Sequence, residues 1–82
     1  MFFVYALASS HRKYIYVGLS ANLKERIRRH NHGFEKTTKP YAPFRLIHFE
    51  VVNDRPTARR REKFLKTTSG KRFLRSNNDK YA

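Results

Sequence analysis

The sequence predicts an α+β fold, in which a small three-stranded, mainly antiparallel sheet is flanked by helices in the order ββαβα(α). Two short apolar, β-prone runs come first, at residues 2–8 and 14–18, and a third run with alternating character covers residues 44–52. Basic segments with apolar residues at helical spacing follow the second and third runs. The 82 residues suffice for one small domain, which we assign to residues 1–76, followed by a frayed tail at 77–82.

The first two strands are expected to form a β-hairpin around the polar residues 9–13. A turn centred between Ser10 and His11 pairs Tyr5 directly with Tyr16, on one face of the sheet. A turn of odd length would instead put Tyr5 beside Val17. The pairing of the two tyrosines therefore depends on the length of the turn.

The first helix is predicted at residues 22–32. Asn22 followed three residues later by Glu25 is typical of a helix N-cap. Gly33 is a plausible C-terminal stop. Two prolines in residues 34–43 argue against regular structure there, so we expect a loop.

The remaining elements are a strand and two helices. Alternation over residues 44–52 predicts a strand with one face formed by Phe44, Leu46 and His48 and the other by Arg45, Ile47, Phe49 and Val51. Asp54 and Pro56 indicate the start of a helix over residues 56–67. A short third helix is expected at about 70–76, after the Thr-Ser-Gly at 68–70.

Charge is the strongest compositional property of the chain. Nineteen Lys and Arg residues against six Asp and Glu give a net charge of +13, which favours a polyanion partner, with nucleic acid as the leading candidate. The absence of cysteine excludes disulfides, a thiolate zinc site and a cysteine nucleophile. No apolar run reaches the length of a membrane span, and the first residues lack the features of a signal peptide, so we expect a cytoplasmic protein without a membrane partner.

One arginine lies on the apolar side of the first predicted helix. Leu23, Ile27 and His30 share a helical face with Arg26, and this face should turn towards the sheet. The structural alternative is an arginine whose stem covers the edge of the core while its guanidinium reaches water.

One acidic residue interrupts the apolar stripe of the second predicted helix. Ala58, Glu62 and Leu65 fall at i, i+4 and i+7, among basic neighbours. Glu62 could form an ordinary ion pair with Lys66 at i, i+4. A carboxylate facing a cleft could instead hold Mg²⁺, a hard cation that prefers oxygen ligands. Tyr5 is likewise open to either a structural or a catalytic interpretation, as is Tyr16 on the second strand.

These residues together resemble the GIY-YIG nuclease superfamily. The segment 3–5, Phe-Val-Tyr, stands where that family has Gly-Ile-Tyr, and the segment 16–18, Tyr-Val-Gly, stands for Tyr-Ile-Gly. Residues 18–27 are similar to the family's passage from loop to helix, and residues 58–66 to its glutamate-bearing helix. The likeness covers about residues 2–76 and is greatest to small stand-alone bacterial members related to the N-terminal nuclease domain of excinuclease C.

The resemblance implies a divalent-metal-dependent endonuclease that hydrolyses DNA, with a role in repair or recombination. It implies the catalytic residues Tyr5, Tyr16, Arg26, His30 and Glu62. Glu62 would hold Mg²⁺ or Mn²⁺, and Arg26 would bind the phosphate. Tyr5 would act as general base or position the water, provided that nearby cations lower its pKa. Asn77 and Asn78 are both candidates for the family's late asparagine, and we choose Asn77.

The partner implied is DNA, with no small-molecule cofactor. Family members commonly obtain specificity from attached domains, so a targeting protein is a further expected partner. We assign nucleic-acid contacts to a set of basic residues: Lys24, Arg28, Arg29, Lys39, Arg59, Lys63 and Lys66. Two alternatives stay open, namely a non-catalytic nucleic-acid-binding module on the same fold and a small RNA-associated basic protein whose tyrosines stack on bases.

Overall fold

The computed structural model describes residues 1–80, with side chains through residue 78. The elements are β1 (Phe2–Ser9), β2 (Ile15–Ser20), α1 (Leu23–Asn31), β3 (Phe44–Val52), α2 (Arg55–Leu65) and α3 (Thr68–Lys80). The strands form one antiparallel sheet in the order β2-β1-β3, which confirms the predicted fold class. Within the described chain, no helix combines the length and the apolar character that crossing a bilayer requires.

The hairpin between β1 and β2 has a different register from the predicted one. Tyr5 pairs with Gly18, and Tyr16 pairs with Leu7, so both predicted partners of Tyr5 are wrong. The turn is centred between His11 and Arg12 rather than between Ser10 and His11. In this turn the Ser9 hydroxyl accepts hydrogen bonds from two backbone N–H groups of the loop, at 3.2 and 3.3 Å. The shift is two residues and therefore keeps both tyrosines on the same face.

Helix α1 begins and ends close to the predicted positions. The Asn22 side chain accepts a hydrogen bond of 3.1 Å from the backbone N–H of Glu25, as an N-cap does. Gly33 follows the helix with a φ of 74°, a left-handed conformation that glycine adopts without steric cost. The loop at 34–43 contains one short 3₁₀ helix, Lys39–Tyr41, where no regular structure was expected.

Strand β3 has the predicted bounds but not the predicted faces. Its pairing with β1 shifts by one residue between Ala6 and Leu7, because a β-bulge inserts an extra residue into β3. Leu46 pairs with Leu7, whereas His48 pairs with Ala6, so His48 faces away from Leu46. Phe49 and Val51, which follow the bulge, consequently lie on the same face as Phe44. The prediction that placed them on the opposite face, from uniform alternation along the strand, is wrong.

The last two helices pack against each other at a glycine. Asp54 caps α2 by accepting a hydrogen bond of 2.8 Å from the Thr57 N–H. A Cβ on Gly70 would lie 2.3 Å from the Phe64 carbonyl oxygen, so the close approach of α3 to the end of α2 requires glycine. Helix α3 is longer than predicted and includes residues 77–80 of the expected frayed tail; residues 81–82 lie outside the described part.

The two faces of the sheet bury different residues. We call one the α2–α3 face; its core consists of Val4, Ala6, Ala8, Val17, Ile47, Ala58, Leu65 and Leu74. We call the other the α1 face; its buried members are Tyr5, Leu7 and Phe44, surrounded by half-buried Tyr14, Tyr16, Leu23, Ile27, Tyr41 and Ala42. Alternate residues of β1 thus pack into an aliphatic core on one side of the sheet and into an aromatic cluster on the other.

Candidate active site

Both motif tyrosines lie on the α1 face, next to a glycine. The rings of Tyr5 and Tyr16 are 6.2 Å apart, and Tyr5 is fully buried. A Cβ on Gly18 would come within 2.6 Å of the Tyr5 hydroxyl oxygen and 2.8 Å of the Tyr16 ring. The last residue of the Tyr-Val-Gly segment is therefore a glycine because the Tyr5 ring occupies the space of its side chain.

A hydrogen-bonded chain starts at the Tyr5 hydroxyl. The oxygen lies 3.2 Å from Nε2 of His30, and Nδ1 of the same ring lies 2.9 Å from the Thr38 hydroxyl. Because Thr38 donates its own proton to the carbonyl oxygen of Glu35, at 3.3 Å, it accepts from His30 Nδ1–H. His30 Nε2 is then the unprotonated nitrogen, and it accepts the hydrogen bond from Tyr5.

The charge state of His30 suits this role. Its side chain is 1% exposed, and burial lowers its pKa from the ordinary value, with Arg26 and Arg29 acting in the same direction and Glu35 opposing. The imidazole is therefore neutral near pH 7, with a lone pair on Nε2. Sequence reasoning identified His30 but missed Thr38, because a threonine in a polar loop carries no distinctive sequence pattern.

Arg26 adjoins the same cluster. Its Nη1 lies 3.6 Å from Glu35 Oε1, an oxygen that also accepts a 3.0 Å hydrogen bond from Arg29 Nε. Arg26 Nε is buried without a hydrogen-bond partner among the described residues. The side chain is 38% exposed, so the guanidinium retains donors that a phosphate can reach.

The pKa of Tyr5 changes in the direction opposite to the one its predicted role requires. Burial raises it, and the neighbouring guanidinium of Arg26 lowers it by a smaller amount. The nearby cation therefore does not by itself make the phenol a base. A proton acceptor is needed, and His30 Nε2 is the group in hydrogen-bond contact.

Glu62 lies on α2, on the other side of the sheet from these residues. Its neighbours in the apolar stripe, Ala58 and Leu65, belong to the core of the α2–α3 face. The carboxylate makes ion pairs with Arg59, at 3.1 Å, and with Lys66, at 3.3 Å. The predicted Glu62–Lys66 pair is thus present. The structure does not bring Glu62 to the group of Tyr5, Tyr16, Arg26 and His30, which we call the tyrosine cluster.

The edge strand β2 is the link between the two sides. A shallow depression along this strand is lined by Tyr16 and Lys66 together with Tyr14, Ile15, Val17 and Lys71. Tyr16 belongs to the aromatic cluster, and Lys66 is the ion-pair partner of Glu62. No further strand covers β2 in the described chain, so both groups border an open edge of the sheet.

The candidate late asparagines lie elsewhere. Asn77 is 3.4 Å from Nδ1 of His48, whose Nε2 in turn lies 2.8 Å from Glu50. Asn78 accepts a hydrogen bond from Arg45. Both contacts are made with β3, the strand at the opposite edge from β2, so neither asparagine joins the tyrosine cluster.

Most of the predicted nucleic-acid contacts already pair with carboxylates. Arg28 bonds Glu25 through two nitrogens, at 2.6 and 2.9 Å. Arg29 bonds Glu35, and Glu62 holds two more of the set. Such exposed pairs are weak and salt-sensitive, so a phosphate can displace the carboxylates. The other three members, Lys24, Lys39 and Lys63, are exposed.

The number of carboxylates near Glu62 limits the kind of metal site that these residues can form. Among the residues that the structure describes, no three His, Cys, Asp or Glu side chains group closely enough to hold an ion. Glu62 alone would supply one carboxylate, which fits an ion that keeps several waters and takes its remaining oxygens from the substrate phosphate. A single carboxylate at Glu62 therefore fits a hydrated divalent cation such as Mg²⁺ or Mn²⁺.

Comparison with known proteins gives one match. The family model described as the GIY-YIG catalytic domain matches residues 1–78. Neither the curated proteins nor the solved structures contain a match. The matched region includes both tyrosine segments, α1 and the glutamate-bearing α2, and the fold is a nuclease-type α+β domain. The chain therefore belongs to the GIY-YIG catalytic domain family.

Proposed function

We propose that this protein is an endonuclease that hydrolyses DNA phosphodiester bonds with the help of a divalent cation, Mg²⁺ or Mn²⁺. The observation that carries the proposal is the Tyr5–His30 hydrogen bond of 3.2 Å beside Arg26, which joins a proton donor, a neutral proton acceptor and a phosphate-binding group. Family membership supplies the endonuclease class, while the DNA substrate and the ion are our proposals.

Each residue of the cluster has a distinct task. Tyr5 transfers its proton to His30 Nε2 and takes one from the attacking water, and Thr38 fixes the tautomer that permits this. Arg26 binds the phosphate oxygens and stabilises the charge that develops on them in the transition state. Tyr16, on β2, would lie beside the attacking water. Its ring is 4.7 Å from the His30 ring.

Glu62 is the residue that would hold the cation. A divalent ion there would polarise the phosphate and stabilise the leaving oxygen. To bind it, Glu62 must release Arg59 or Lys66, whose side chains are 51% and 52% exposed and can rotate into water. The basic side chain that is released then becomes free to contact a neighbouring phosphate.

The biological setting forms a separate part of the proposal. We propose a cytoplasmic enzyme of DNA repair or recombination, related to the small bacterial relatives of excinuclease C. A targeting protein is its expected partner, because a domain of this size offers little surface for sequence recognition beyond the site.

The test is nicking of supercoiled plasmid and of nicked, flap and branched duplexes with Mg²⁺ or Mn²⁺, comparing wild type with Glu62→Gln. We expect Glu62→Gln to abolish cleavage and to leave DNA affinity unchanged or higher, because a negative charge is removed beside the substrate. Glu25→Gln is the matched control, since Glu25 is a helix carboxylate paired with Arg28 at an exposed site. Equal cleavage by Glu62→Gln and wild type would contradict the role of Glu62.

A non-catalytic nucleic-acid-binding module is the second candidate. The observation in its favour is that both Glu62 oxygens are bound to cations on the face opposite Tyr5. Pure wild-type protein that binds DNA but never nicks any of the substrates would establish this alternative. A strong preference for single-stranded RNA in competition at fixed salt would instead identify an RNA-associated protein.

A further inference from the structure

A second basic site lies at the hairpin end of the sheet, away from the tyrosine cluster. It is an open cleft of about 960 Å³ between the hairpin turn and α3. Five Lys and Arg side chains line it, and no Asp or Glu is among the described residues that do so: Arg12, Lys13, Arg45, Lys71 and Arg75. None of the five belongs to the set assigned to nucleic acid from the sequence.

Two of these cations are held in place by the fold. Arg45 donates through Nη2 to the side-chain oxygen of Asn78, and its Nε is buried without a partner among the described residues. Lys71 Nζ donates to the Ile15 carbonyl oxygen at 3.2 Å. These two contacts hold cationic side chains at the wall of the cleft before any ligand binds.

The charge distribution makes an extended anion the best occupant. Like charges gathered in one cleft repel each other, and an anion relieves that repulsion. The cleft is open along its length, and it shares Tyr14, Ile15 and Lys71 with the depression beside β2. The basic surface is therefore continuous from Arg45 and Arg75 to the edge where Tyr16 and Lys66 meet.

We propose that this cleft binds the phosphodiester backbone of the nucleic acid that flanks the reacting phosphate. The bound strand runs along the edge of β2, from Tyr16 to the hairpin turn. This inference rests on the proposed function for the position of the reacting phosphate. The cleft itself supplies affinity and alignment but no chemistry, because phosphate contacts fix register without reading sequence.

The test is metal-free binding of a fluorescent duplex by anisotropy, as a function of salt concentration and in the presence of EDTA. The cleft variant is Lys13→Gln with Arg75→Gln, two exposed residues whose loss should not affect folding. Arg55→Gln with Arg60→Gln is the matched control, because it removes the same charge from exposed positions on α2, outside the cleft. Thermal melting monitored by circular dichroism verifies that both variants are folded.

We expect the cleft variant to lose about fivefold in affinity relative to the control at moderate salt. The slope of log K against log salt should become shallower by about 0.7–0.9 for each phosphate contact removed. Lys71→Gln, a single change at a half-buried residue of the cleft, should make the slope shallower in the same way. A cleft variant with the same affinity and slope as the control would overturn the proposal.

The two proposals fail separately in these experiments. If the cleft variants weaken binding but no substrate is ever nicked, the endonuclease proposal fails and the backbone-binding site stands. If wild type nicks DNA and the cleft variants bind as the control does, the cleft proposal alone fails.

Discussion

The two faces of the sheet differ in chemistry although alternate residues of the same strands build both. On the α2–α3 face, Val4 and Ala6 pack against Leu65 and Leu74, and all four are fully buried. On the α1 face, Tyr5 is as deeply buried but bonds to His30, and burial changes the pKa of both groups. One face therefore supplies apolar contact, and the other supplies buried polar groups that depend on one another.

Under the proposed function, this difference lets a small chain combine a stable fold with a reactive site. Burial of aliphatic area contributes stability without directional requirements. Buried polar groups have to satisfy each other, so their contribution to stability is small but their geometry is well defined. Substitutions on the two faces should accordingly affect different measurements.

The largest effect is expected for Tyr5→Phe on the α1 face. Removal of the hydroxyl deletes the group that we propose to exchange protons with His30, and cleavage should fall by about 10²–10⁴-fold. The free energy of unfolding should change by only about 1 kcal/mol, the value of one hydrogen bond. Cleavage rates and urea denaturation measure the two quantities. Tyr41→Phe is the control, because Tyr41 stacks on Tyr14 in the same aromatic cluster and lines neither the depression nor the cleft. A rate near that of wild type would show that the two faces do not differ in this way.

Leu74→Ala tests the α2–α3 face. Truncation of this fully buried leucine should lower the free energy of unfolding by about 2–5 kcal/mol, through lost transfer energy and a residual cavity. DNA cleavage per folded molecule should stay close to wild type. Urea denaturation makes the measurement, and Phe73→Ala, at a neighbouring 44% exposed position, is the control with a smaller expected effect. A loss of rate with unchanged stability would reverse the assignment of the two faces.

The smallest effect is the pH dependence caused by His30. Burial lowers its pKa, so the unfolded chain binds a proton near the ordinary value of about 6.5 while the folded chain does not. The unfolded state binds more protons in that window, and stability should fall as the pH decreases below about 6.5. Urea denaturation at pH 7.5 and pH 5 measures this loss. His30→Gln should reduce it, whereas the exposed His32→Gln should not; equal losses in both variants would contradict the assignment.

Local sequence patterns predicted the elements well. The cap residues Asn22 and Asp54 act over one turn of helix, and each forms the expected hydrogen bond. The bounds of β3 follow from a run of β-prone residues. On the α1 face, helical spacing was enough to bring His30 towards the sheet. These features depend on neighbours in sequence, and a sequence shows those directly.

The features that sequence reasoning missed depend on side chains distant along the chain. The Ser9 hydroxyl in the hairpin turn donates to the carbonyl oxygen of Tyr41, a residue far along the chain, and the bulge in β3 arises in its pairing with β1. Thr38 is defined only by its contact with His30. Glu62 was correctly expected to interrupt an apolar stripe. The spacing of that stripe does not show which face of the sheet α2 covers.

The absence of a side chain at Gly18 couples two positions energetically. Because the Tyr5 ring fills the space beside that glycine, Gly18→Ala alone should be costly, and shortening Tyr5 should remove much of the cost. The two changes would then be non-additive in a double-mutant cycle. A chain could recover its fold through such a compensating pair while losing the hydroxyl, so a folded variant selected at these positions is no guarantee of an active one.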